Sequence, residues 1–277
     1  MGGEPVTVAV GLVSGVLSGM FGIGGGVVTT PAIRLLLGYP ALIAVGTPLP
    51  VILPGAVTGA ISYARRGLAD VRAGLVMGGV GVIGSVAGAL LSRVAGGSTV
   101  LIVTSLFIGW VAVDLVLQAR AARAVAAASA LLGEVEADPE AALAPAPGAG
   151  STDTGLVRLA AIGVCAGLFS GFLGLGGGFV VVPALTRVFG MPVKRAIGTS
   201  LVTVAVLAVP GSVMHWFLGN IDARLAVLLA VGVVPGALIG ARLAARASDR
   251  TLRLAFGALL LVVGVWLAGS EIAGIGA

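Results

Sequence analysis

Charge is scarce in this 277-residue chain. Asp, Glu, Lys and Arg together make up 10% of it, against about 25% in a soluble domain. That is too little polar surface to cover a water-exposed globule, so an ordinary soluble domain is excluded. Histidine and cysteine each occur once, which excludes His/Cys clusters of the zinc or haem kind. Cys165 has no intramolecular disulfide partner, and its apolar neighbours predict a small packing residue. No lysine follows the glycine clusters, so there is no P-loop, and a dinucleotide fold would need a soluble βαβ setting. The first apolar run lacks a basic leader, so no cleavable signal peptide is expected. An enzyme would need a nucleophile–base pair or a metal cluster at depth, and a lone His215 argues against one. No catalytic residue, metal or cofactor is expected.

Apolar residues and glycine are abundant instead. Hydrophobic residues make up 58% of the chain and glycine supplies 46 positions; mean hydropathy is +1.16. These values predict an all-α polytopic membrane protein, embedded in lipid, whose helices pack through small residues. The net charge of +5 fits arginines gathered on the cytoplasmic side better than nucleic-acid binding.

The chain repeats itself. Residues 11–40 read GLVSGVLSGMFGIGGGVVTTPAIRLLLGYP, and residues 163–192 read GVCAGLFSGFLGLGGGFVVVPALTRVFGMP. At this offset of 152 residues Gly24, Gly25 and Gly26 fall on Gly176, Gly177 and Gly178, and Pro31 falls on Pro183. Gly46 and Thr47 fall on Gly198 and Thr199, and Asp70 and Arg72 on Asp222 and Arg224. The register holds without a gap as far as Gly88 and Gly240, so the protein is a duplicated unit.

Each unit holds five apolar stretches, at 5–21, 27–38, 41–64, 71–94 and 97–117, then at 156–173, 179–190, 194–218, 222–244 and 251–269. The last three of each are long enough to span. The first two read as a helix pair meeting at a glycine tip, either re-entrant or a pair of short broken spans. The organisation expected is a first transmembrane repeat over 1–117, a cytoplasmic linker over 118–154 and a second repeat over 155–277. The linker is rich in Ala and Pro, and its acidic residues solubilise it. With the linker inside, both termini lie outside, and 13 of the 16 basic residues fall on the cytoplasmic side. Only Arg34, Arg93 and Arg224 then fall outside. Such sorting predicts two inverted repeats.

Three glycines in a row are poor helix, and backbone opened in a membrane must line protein or water. Gly24–Gly26 and Gly176–Gly178 therefore read as breaks that leave N–H groups free at the start of the next short helix, where partial positive charge favours anions. Two such tips would converge near the midplane. Thr47, Thr199 and Ser200 add hydroxyls that could bond an anion, or their own backbone. The flanking Gly11, Gly15, Gly19 and Gly163, Gly167, Gly171 read as helix-contact stripes. Among intramembrane ionisable groups, Asp114 reads as an orienting residue near the inner end of its span. His215, near an outer end, reads as an interfacial anchor or a proton or anion contact.

The paired G-[IL]-G-G-G-x(4)-P segments, and the later Ala196-Ile197-Gly198-Thr199-Ser200, resemble the TauE/SafE family of sulfite exporters, also described as anion or sulfonate permeases. The resemblance covers both halves and leaves out the linker. In the first half the later motif departs to Ala44-Val45-Gly46-Thr47-Pro48, which removes one hydroxyl and suggests an asymmetric site. The resemblance implies export of sulfite or a small organosulfonate; the residues alone give an anion site in an inverted repeat. The function expected is a secondary transporter working by alternating access. A passive anion channel, or a membrane subunit of a larger complex, is the alternative.

Overall fold

A computed structural model describes residues 3–97, 99–107, 109 and 152–272. Asp114 and residues 118–151 of the linker lie outside them. The order is α1 (Gly3–Phe21), α2 (Gly26–Pro31) continued by a π turn (Ala32–Leu36), α3 (Ala41–Gly46), α4 (Pro48–Ala64) and α5 (Val71–Ala95). A helical segment α6 follows at 99–107, then α7 (Thr152–Leu173), α8 (Gly178–Val188), α9 (Val193–Phe217), α10 (Ala223–Arg246) and α11 (Asp249–Ile272). Every element among the described residues is a helix, and six apolar segments reach membrane-spanning length: Glu4–Phe21, Ala41–Ala64, Val71–Ala95, Gly155–Leu173, Val193–Phe217 and Ala223–Arg246. The outer surface is apolar as well: Ile83, Val94, Val227 and Val231 all face outward. That is the surface lipid requires and water would not tolerate.

Proline accounts for the local departures from a plain repeat. The stretch 41–64 is expected as one span and runs as one, Ala41–Ala64; only its hydrogen-bond ladder is interrupted at Thr47, between α3 and α4, whereas α9 has no interruption at the equivalent point. Pro48 stands where the second half has Ser200 and has no N–H to continue the helix. Both short helices begin at the end of the glycine triplet, with Pro31 and Pro183 inside rather than at their starts. Past Pro31 the chain widens into the π turn. Asp70 and Asp222 cap α5 and α10 through bonds from Ala73 N–H (3.0 Å) and Leu225 N–H (2.9 Å).

Long helices pair across the halves. On α1, Gly11, Gly15 and Gly19 abut the backbone of Leu229, Val233 and Ala237 on α10. On α7, Gly163, Gly167 and Gly171 abut Met77, Gly81 and Ser85 on α5. The second set is the first displaced by the repeat offset, with the halves exchanged. Residue numbers rise together along each pair, so both are parallel. The α4–α9 pair runs the other way. Gly46 abuts Asn220, Leu49 abuts Gly211 and Gly59 abuts Leu201, so these equivalent helices are antiparallel. Within each half the short helix folds back along the long one: Ser14 of α1 touches both Gly25 and Thr29.

The glycine stripes are contact surfaces, as their spacing predicts. A Cβ at Gly15 would overlap the Val233 carbonyl oxygen, and one at Gly167 the Gly81 carbonyl oxygen. Without it the backbones come within reach of Cα–H···O contacts and broad dispersion contact. Cys165 departs from expectation. It lies exposed on α7, pointing away from the glycine seam rather than packed in it.

Replacing Gly167 by Val should push α7 off α5 and cost about 2–3 kcal/mol or more, because backbone carbonyls cannot yield as side chains do. Gly79→Val, where nothing lies within 4 Å, should leave the protein intact. Thermal unfolding of the two purified variants in detergent measures the difference.

Candidate functional site: two glycine tips between the halves

Each tip is a short left-handed excursion. Gly22, Gly24 and Gly25 have φ of 71°, 80° and 84°, and Gly174, Gly176 and Gly177 have 69°, 84° and 75°. Side chains other than glycine's rarely tolerate these values, so the motif is a backbone requirement. Gly25 and Gly177 are the residues just before α2 and α8. Their carbonyls accept from the N–H groups of Val28 and Thr29, and of Val180 and Val181. The first N–H groups of each short helix, at Gly26–Val27 and Gly178–Phe179, precede any intrahelical acceptor.

The two tips touch. A Cβ at Gly26 would meet Gly174 O at 2.6 Å and Leu175 Cα at 2.7 Å, and one at Gly178 would overlap Gly22 O and meet Ile23 Cα at 2.8 Å. Facing them are Ile52 of α4 and Val204 of α9, themselves one repeat offset apart. Val204 Cγ1 would stand 2.8 Å from a Cβ at Gly24 and 3.3 Å from one at Gly176. Ile52 would stand 3.0 Å and 3.2 Å from the same points. Gly24, Gly26, Gly176 and Gly178 thus gather at one buried place between the halves, with two aliphatic side chains beside them, while Gly25 and Gly177 face Ser14 and Ala166 of their own halves.

Ser200 belongs to this place. Its hydroxyl donates to Gly22 O (2.9 Å) and lies 3.5 Å from Gly178 O, bridging the tips. Thr47 and Thr199 do not join it. Thr47 Oγ1 accepts the Asp222 N–H (3.1 Å) and Thr199 Oγ1 the Asp70 N–H (2.9 Å). Each hydroxyl therefore ties one half to the helix-start loop of the other, and the two ties sit at opposite ends of the antiparallel α4–α9 pair. His215 is fully buried, while Trp216 beside it is 61% exposed. The outward-facing tryptophan, not the histidine, has the position of an interfacial anchor. Nε2 of His215 faces Gly171 O at 2.9 Å and Nδ1 faces Asn220 Nδ2 at 3.3 Å. A carbonyl only accepts and an amide NH₂ only donates, so the Nε2–H tautomer satisfies both.

Several contributors are not evident from the sequence. Tyr63 is the repeat counterpart of His215, and its hydroxyl donates to Gly19 O (3.0 Å), the counterpart of Gly171 O. Alignment at the repeat offset would have paired Tyr63 with His215, although their chemistry differs. The first tip is stapled by Ser14, whose hydroxyl reaches Gly25 O (2.8 Å) and Thr29 Oγ1 (2.6 Å). The second half has Ala166 and Val181 there. Ser18, Ser170 and Thr30 are buried hydroxyls with no hydrogen-bond partner. Arg195 and Asp70 pair at 3.3 Å across the halves, next to the Thr199 tie.

Apolar spans wrapped around opened, buried backbone define a multi-pass membrane protein of the transporter class. Residues 7–267 match the family described as Sulfite exporter TauE/SafE, and the chain belongs to that family. It is 26% identical over 273 residues to a Bacillus subtilis protein named "Probable membrane transporter protein YunE", covering 95% of this chain and 96% of the relative. It is 28% identical over 268 residues to a "Probable membrane transporter protein" of Xylella fastidiosa strain 9a5c, covering 95% and 94%. A match of 31% over 255 residues to the "Probable membrane transporter protein MamO" of Magnetospirillum gryphiswaldense covers 85% of this chain but 39% of that longer protein. No solved structure matches the chain.

Tyr63→Phe should cost about 1 kcal/mol by removing one neutral bond. His215→Phe should cost more, about 2–3 kcal/mol, because Gly171 O and the Asn220 amide are both left buried and unpaired. Thermal unfolding orders the two variants; equal stability would contradict the pairing described.

Proposed function

We propose that this protein is a secondary transporter that exports a small sulfur-containing anion, sulfite or a C2–C3 organosulfonate, across the cytoplasmic membrane. The site is the meeting point of the two glycine tips, with Gly24–Gly26, Gly176–Gly178 and Ser200 as its members. The observation that carries the reading is that both tips break the helix, start a new one and meet between the halves. Helix starts at depth offer N–H donors and partial positive charge without the desolvation penalty of a lysine or arginine. Thr47 and Thr199 stay in the reading as flanking hydroxyls. Each already accepts a backbone N–H, so what it can offer an anion is its proton, which in Thr199 points at Met191 Sδ (3.8 Å). The family name supports sulfite, and organosulfonates present the same trio of oxygens.

Ile52 and Val204 fill the space beside the tips, so an anion enters only when the halves part. The antiparallel run of α4 against α9, with equivalent contacts at both ends, supports two inverted halves that rock to open one end and then the other. The sorting of basic residues along the sequence supports a cytoplasmic linker with both termini outside. The pairs Arg195–Asp70 and Arg224–Glu4 each join groups assigned to one side. An inside-negative potential drives an anion outward with about 2.3 kcal/mol per charge per 100 mV, so export needs no nucleotide. His215, with both ring nitrogens engaged by protein groups, is not needed as a proton carrier in this scheme.

Proteoliposomes loaded with sulfite test the reading. The wild-type protein should release sulfite saturably and faster with the loaded side negative. Gly25→Leu and Gly177→Leu, each forcing a side chain into φ near +80°, should abolish release. Release that is absent in the wild type, or unchanged in both variants, would refute it.

A further inference from the structure

Hydroxyls inside apolar helices usually bond back to a carbonyl one turn earlier. This chain follows that habit: Thr104, Ser105 and Ser212 donate to Val100 O, Leu101 O and Ala208 O at 2.6–2.8 Å. Ser18 and Ser170 do not. Each is fully buried, and neither hydroxyl has any partner. A buried polar group left unpaired is costly, and native interiors leave few of them.

Their positions make the omission specific. Ser18 and Ser170 are one repeat offset apart and occupy the last turn of α1 and of α7. Their backbone carbonyls accept from Gly22 N–H (2.8 Å) and Gly174 N–H (3.0 Å), the first residues of the two tips. Ser18 Cβ would lie 3.5 Å from a Cβ at Gly25. Each tip therefore has one uncommitted hydroxyl at its base, on the residue whose carbonyl holds the first N–H of the tip. The rest of the neighbourhood is not symmetric in this way, since Ser14, Thr29 and Ser200 have Ala166, Val181 and Pro48 as counterparts. The third unpartnered hydroxyl, Thr30, has Val182 opposite and is not part of the pair.

We propose that Ser18 and Ser170 are anion ligands, one from each half, that donate their hydroxyl protons to two oxygens of a sulfite or sulfonate group held between the glycine tips. This rests on the transport reading and narrows its site. Donors are what the place supplies: two hydroxyls, the first-turn N–H groups of the short helices and the positive end of the eleven-residue helix α8. A group with three oxygens on one sulfur can accept from both halves at once. Binding thereby links them.

The test uses the full chain in detergent, with sulfite and sulfoacetate as probes, and reads two quantities. One is the melting temperature without ligand; the other is probe affinity by calorimetry. Ser18→Ala, Ser170→Ala and the double variant should melt at or above the wild type, because an unsatisfied hydroxyl has been removed. Their affinities should fall about tenfold or more per serine. Ser105→Ala, whose hydroxyl bonds its own helix, should keep wild-type affinity. A double variant that binds both probes like the wild type would overturn the proposal and leave the transport reading standing; ordered water would then be the serines' partner. A wild-type protein that binds neither probe would overturn the transport reading, and this proposal with it.

Discussion

A peptide group opened inside a membrane has no water to turn to, and its only partners are other parts of the chain or a bound ligand. That constraint organises this molecule. Six left-handed glycines, Gly22, Gly24 and Gly25 with Gly174, Gly176 and Gly177, break two helices at depth, so the breaks have to be walled in. The walls are α4 and α9, which face each other antiparallel and present Ile52 and Val204 to the tips. They stand firm because α1 is pressed on α10 and α7 on α5, backbone to backbone, through stripes of glycine. The glycines of the stripes and those of the tips thus do opposite work: the former close distance between intact helices, the latter end helices.

The halves share a backbone plan and differ in chemistry. Tyr63 and His215 make the same bond to Gly19 O and Gly171 O with different rings. The first tip is held by Ser14 and Thr29, while the second rests against Ala166 and Val181. Ser200 bridges the tips where the first half has Pro48, whose missing N–H interrupts the ladder between α3 and α4. Asp70 meets Arg195 at one end, whereas the equivalent of Arg195 at the other end is Ile43. An exposed ion pair of that kind is worth little by itself, about 0–1 kcal/mol. In a carrier whose two end states must nearly balance, however, such small differences between ends decide which state is favoured at rest.

Much of this was legible because it depends on backbone. Glycine spacing predicts that α1 and α7 are packed through their glycine faces, though not against which helices, and the triplets predict the helix pairs that meet at a tip. The offset of 152 residues lines up the glycine-stripe contacts and the two threonine ties between the halves. What stayed hidden concerns where hydroxyls and rings point. Thr47 and Thr199 look like ligands by type, yet each is spent on an aspartate N–H of the opposite half, a pairing that requires knowledge of the antiparallel α4–α9 packing. His215 beside Trp216 suggests an interfacial site, but the helix turns the two side chains to opposite fates. Ser18 and Ser170 are common residues in apolar helices, and only the absence of a partner sets them apart.

The central claim is that the tips, Ile52 and Val204 close a shared site that opens only when the halves separate. The most direct measurement joins the halves there. In a Cys165→Ser background, Ile52→Cys with Val204→Cys places two thiols at the closed centre. Sulfite release from loaded proteoliposomes is then followed before oxidation, after it and after reduction. Release that stops on cross-linking and returns on reduction is the result expected; release that continues through fully cross-linked protein would contradict the account.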